Sequence, residues 1–104
     1  MINGLITVLL SSGEQVFAKN GDYLVMIFED GKCRYDKVFA NLQEVTKYIE
    51  GMNLEDVKIF QFVNNSMEFV PIFFDKKSVS WWTESGANFV IAGSHKGIYS
   101  RILS

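Results

Sequence analysis

His95 is the only histidine in the chain and Cys33 the only cysteine, so the two side chains most used in nucleophilic and acid–base chemistry come once each. A nucleophilic triad needs a histidine oriented by a carboxylate beside a serine or cysteine. Ser94-His95-Lys96-Gly97 instead has the composition of a tight surface turn, and a solvated imidazole is expected there. Cys33 stands between Lys32 and Arg34, and nearby cations can favour a thiolate. Strand alternation puts Cys33 on one face with Tyr35 and Phe39, away from both cations, which predicts a buried and inert thiol. Glu29-Asp30 and Glu55-Asp56 are adjacent acids, but both pairs flank turns or helix ends, whereas carboxylates that share a proton must be buried together. One histidine and one cysteine cannot form a structural zinc cluster, and no glycine-rich phosphate motif occurs. No catalytic residue, metal or cofactor is expected.

The informative residues are aromatic. Phe73-Phe74 and Trp81-Trp82 are adjacent pairs inside expected strands. Neighbours along a strand point to opposite faces, so each pair demands cover on two sides. Either the second half packs as another layer, or some rings stay exposed. An exposed Trp beside Lys76-Lys77 would suit a protein partner, because Trp, Tyr and Arg dominate binding hot spots.

These residues must be positioned by one domain. The chain has 104 residues, of which 48% are hydrophobic, enough for one real core. A lone cysteine, no early basic residue at the N-terminus and no apolar run of membrane-spanning length together lead to an expectation of a cytoplasmic protein with no membrane contact. The net charge is −2. Without a basic block, nucleic acid is not an expected partner.

Apolar runs separated by turn signals every eight to twelve residues read as strands: Leu5 to Ser11, Glu14 to Lys19, Tyr23 to Phe28 and Lys32 to Phe39. Asn20-Gly21 predicts a two-residue hairpin turn, and the four strands are expected in meander order. Tyr23 to Phe28 is apolar throughout, which predicts a central strand covered on both faces. Asn41 and Glu44 suit a helix start, Leu42, Val45, Ile49 and Met52 recur at helical spacing, and Gly51 suits the end, giving a helix near 41–52. Val57 to Val63, Met67 to Phe74, Val79 to Glu84, Phe89 to Ala92 and Ile98 to Leu103 follow as strands, with Pro71 marking an edge or bulge. The expected fold class is a β-rich α+β domain spanning residues 1–104, with about eight or nine short antiparallel strands, in one sheet or two layers, and one amphipathic helix.

The stretch from Tyr23 to Phe62 resembles a module of small accessory proteins from phages and Gram-positive bacteria. The resemblance lies in Tyr23-Leu24-Val25 with Asp30-Gly31, in Asn41-Leu42-Gln43-Glu44, in Tyr48-Ile49-Glu50 and in Val57-Lys58-Ile59-Phe60. It implies a strand-hairpin-helix-strand layout and a small helper or inhibitor, resident in the host cytoplasm if phage-encoded.

The leading expectation is thus a non-enzymatic protein that docks a protein partner through an aromatic β surface. Trp81, Trp82, Phe73, Phe74, Lys76, Lys77, Tyr99 and Arg101 are its candidate binding residues. The alternative is a small-ligand, nucleotide-like binder. There, aromatic rings would stack the ligand while Lys76, Lys77, Lys96 or Arg101 meets its charge, in a pocket between layers or at a dimer seam. A final strand from Ile98 to Leu103, if it lies at an edge, could pair two copies into a homodimer.

Overall fold

A computed structural model of the protein describes the backbone of residues 5–64, 66–75, 80–83 and 88–90, with side chains through Phe73 and at Thr83. Among the described residues the fold is a mostly-sheet α+β arrangement with antiparallel strands and one α-helix. Residues 5–70 form two sheets. The first is the hairpin of β1 (Leu5–Leu9) and β2 (Gln15–Lys19). The second has four strands in the order β4-β3-β5-β6, with β3 at Tyr23–Glu29, β4 at Lys32–Phe39, β5 at Val57–Val63 and β6 at Ser66–Val70. Three further strands, β7 (Ile72–Asp75), β8 (Ser80–Thr83) and β9 (Asn88–Val90), pair in a separate ladder.

The meander expected for the first four strands does not form. The all-apolar run of β3 explains why. Its Val25 is fully buried under the helix, together with Phe39, Val45, Ile49, Leu54, Val57 and Ile59. Its Leu24 is buried on the opposite face, in a second cluster with Val8, Ala18 and Phe62. A strand apolar on both faces must be central and must be covered twice. β4 and β5 flank it, and the β1–β2 hairpin detaches from the ladder to become the second cover. The order across the molecule is helix, sheet, hairpin.

Asn20-Gly21 therefore turns a corner between sheets rather than closing a hairpin. Gly21 has φ +96, but Asn20 stays at negative φ, so the geometry is not the doubly left-handed one of a two-residue hairpin. The Gly21 N–H donates to the Phe62 carbonyl at 2.7 Å, and the Phe62 N–H donates to the Asp22 carbonyl at 2.9 Å. Asn20 Oδ1 accepts from the Asn64 N–H at 3.0 Å. These bonds pin the corner to the end of β5. At the far end of the hairpin, the Ser11 N–H and hydroxyl both donate to the Asp36 carboxylate, at 3.0 and 2.7 Å, tying its turn to β4.

The helix, α1, spans Leu42–Ile49, shorter than the expected 41–52. Asn41 caps it, its Oδ1 accepting from the Glu44 N–H at 2.9 Å. Gly51 does adopt positive φ (+82), yet as part of a turn in which the Met52 N–H donates to the Ile49 carbonyl. Met52 leaves the helix and still packs on the helix-side cluster. A 3-10 turn at Leu54–Asp56, capped by Asn53, delivers Leu54 to the same cluster before β5 begins. Pro71 divides the single strand expected from Met67 to Phe74. β6 ends before it as the edge of the four-stranded sheet, and β7 resumes after it in the other ladder, because proline has no N–H to continue the pairing.

The faces of β4 also differ from strict alternation. Tyr35 lies opposite Ile27 but Cys33 lies opposite Phe28, so Arg34 is an extra residue with no partner on β3. This bulge moves Cys33 to the hairpin side with Asp36 and Val38, while Tyr35, Lys37 and Phe39 take the helix side. Cys33 is half-buried rather than buried. Burial and the Asp36 carboxylate push its thiol pKa up, so Lys32 and Arg34 do not activate it.

Candidate functional site

Hairpin β1–β2 buries Ile6, Val8, Val16 and Ala18 against the sheet, and alternation sends their neighbours outward. On that outer face Phe17 lies directly opposite Thr7, with Leu5 and Leu9 diagonal to it. Leu9 is 68% exposed and Phe17 71% exposed. Their row continues to Leu5 at one end, framed by the polar Gln15 and Lys19. A hairpin needs one apolar face to act as a cover; this one has apolar residues on both. The described residues leave Leu9 and Phe17 largely uncovered.

A second exposed group lies on the same side of the four-stranded sheet, where Met67 and Phe69 of β6 stand opposite Phe62 and Phe60. Phe69 meets Phe60 edge-on at 5.8 Å and otherwise faces solvent. Pairing to the buried Phe62 and half-buried Phe60 fixes these side chains without covering them.

Between the hairpin, β4 and α1 runs a groove of about 850 Å³. Its floor is the consecutive stretch from Asp36 to Ala40, the hairpin supplies Glu14 and Val16, and the helix supplies Glu44, Lys47 and Tyr48. Phe39 and Tyr48 stack at 4.9 Å, and the Lys37 ammonium lies 5.5 Å from the Phe39 ring and 6.0 Å from the Tyr48 ring. Four carboxylates (Glu14, Asp22, Asp36 and Glu44) outnumber two ammonium groups (Lys37 and Lys47) along the lining. Among the described residues no three of His, Cys, Asp and Glu come together as metal ligands do, and no helix is long and apolar enough to cross a membrane.

Of the residues singled out in the sequence, Phe73 is 37% exposed on β7. The ladder pairs Phe73 with Trp82, and Phe74 with Trp81, which in turn pairs with Phe89. The two adjacent aromatic pairs are thus brought beside each other, in consecutive rungs. The side chains of Phe74, Trp81 and Trp82 lie outside the described residues, as do Lys76, Lys77, His95, Lys96, Tyr99 and Arg101 and the strand expected from Ile98 to Leu103.

Sequence reasoning missed Leu9 and Phe17 because Leu5 to Leu9 is almost wholly apolar and does not say which face is covered. The available signal was β2, where Val16 and Ala18 alternate with Gln15, Phe17 and Lys19, making Phe17 the odd apolar residue on a polar face. Compared with known proteins, the chain matches no family model, no curated protein and no solved structure.

Proposed function

We propose that this protein is a small non-enzymatic binding module that docks a protein partner through an apolar, partly aromatic strand surface. The observation that carries this reading is the outer row of the hairpin, where Phe17 and Leu9 are each more than two thirds exposed beside Leu5. Aromatic and large aliphatic side chains held on a rigid strand cost little entropy to immobilise, and burying each one removes substantial apolar surface from water. Phe69 and Met67 extend the same property to β6. The ladder that aligns Phe73 with Trp82 and Phe74 with Trp81 fits the same use. An inhibitory role in a phage or mobile element agrees with the chain's size and with the resemblance carried by residues 23–62. The nucleotide-like alternative gains no support from the groove, because its acidic excess would repel phosphate.

The test is a pair of substitutions, Leu9→Ser and Phe17→Ser. Both sites are exposed, so unfolding stability should change by no more than about 0.5 kcal/mol. Wild-type protein used as bait should retain a defined partner that both variants lose. Retention of the same partner by both folded variants would remove the outer row from the binding surface.

A further inference from the structure

The groove along β4 has a second property besides its acidic lining: its floor is the open edge of a sheet. β4 is the terminal strand of the order β4-β3-β5-β6, so among the described residues it pairs on one side only. An edge strand presents unpaired N–H and C=O groups that can hydrogen-bond another extended segment. We propose that β4 is a strand-addition site, at which an extended basic peptide pairs with the edge from Tyr35 to Phe39 and sets alternate lysines or arginines against Glu14 and Asp36. This goes beyond the docking row on the outer face of the hairpin. The two surfaces share only Phe17, which also borders the groove.

Three observations carry it. First, the bulge at Arg34 disrupts only the far end of β4, and the register from Tyr35 to Phe39 is regular. A bulge is a common device for blunting an edge, yet here it lies outside the walled segment. Second, the groove has walls on both sides of that segment, the hairpin on one and α1 on the other. The opposite edge, β6, stops at Pro71, which cannot extend a ladder. Third, the charges are distributed by face. Asp36 shares the hairpin side with Val38, and Glu14 lies on the hairpin wall, with no lining cation among the described residues on that face of β4 or on that wall. Lys37, Lys47 and Glu44 lie on the helix side with Phe39 and Tyr48.

An added strand presents alternate residues to the two walls. Its hairpin-facing positions suit lysine or arginine, whose aliphatic stems can lie along Leu10 and Val16 while the cationic heads reach Glu14 and Asp36. Its helix-facing positions suit apolar residues against Phe39 and Tyr48. Main-chain bonds would give affinity and this alternation would give selectivity.

The test titrates the full-length, nitrogen-15-labelled protein with a synthetic decapeptide of alternating lysine and valine. Saturable amide shifts should concentrate at residues 35–40, weaken as salt rises, and vanish when glutamate replaces lysine in the peptide. Glu14→Lys should weaken binding by at least about fivefold through like-charge repulsion; Glu14→Gln, which removes the same charge while keeping the side chain's shape, replaces it if that variant does not fold. Leu9→Ser should leave peptide binding unchanged, so loss of the outer-row partner and loss of this site are distinguishable. Shifts centred elsewhere, equal binding of the acidic peptide, or indifference to the charge change at Glu14 would overturn the proposal. Concentration-dependent shifts at β4 without peptide would overturn it in favour of pairing between two copies.

Discussion

Cys33 illustrates how one backbone irregularity resets the chemistry of a side chain. Simple alternation puts it with Tyr35 and Phe39, but the extra residue at Arg34 moves it to the face of Asp36. Burial and the neighbouring carboxylate both disfavour the thiolate, so its pKa lies above the ordinary value and the sulfur is protonated at neutral pH. Alkylation with iodoacetamide should therefore be slower than for an unstructured cysteine peptide at every pH near neutrality, with the rate profile displaced to higher pH. Asp36→Asn should move that profile back toward the peptide's. Labelling faster than the peptide would contradict the placement of Cys33. The sequence suggested a buried thiol and the structure places it half-buried on the other face, because a bulge depends on the partner strand.

At the scale of elements, local patterns gave what they could. β5 is found from Val57 to Val63 as its apolar run suggests, and Asn41 caps the helix as its type suggests. What the pattern could not supply was the partner of each strand. Asn20-Gly21 has the composition of a hairpin turn, yet the bonds to Phe62 and from Asn64 make it a corner. Gly21 at φ +96 is the residue that corner requires, and an added methyl would meet nothing within 4 Å. Gly21→Ala should thus cost about 1 kcal/mol from backbone strain alone, measured by denaturant unfolding. No loss of stability would mean that the corner does not hold this conformation.

For the whole molecule, the double-faced apolar run of β3 was readable and did imply two covers. One cover, the helix, announces itself through Val45 and Ile49 at helical spacing. The other does not, since nothing in Leu5 to Lys19 distinguishes strands beside a sheet from strands on top of it. That ambiguity hid the exposed outer row. It is settled only by long-range packing of Val8 and Ala18 on Leu24 and Phe62. The aromatic pairs near the C-terminal end were legible as strand residues, but not as partners of one another. Their cross-strand pairing is Phe73 to Trp82 and Phe74 to Trp81.

The most direct test of partner docking places a photo-crosslinking phenylalanine analogue at position 17 of the intact protein in the cell that produces it, with position 30 in the Asp30-Gly31 turn as control. We expect one discrete heterologous adduct from position 17 and none of it from position 30. Equal labelling from both positions, or adducts formed only between copies of this chain, would contradict the account.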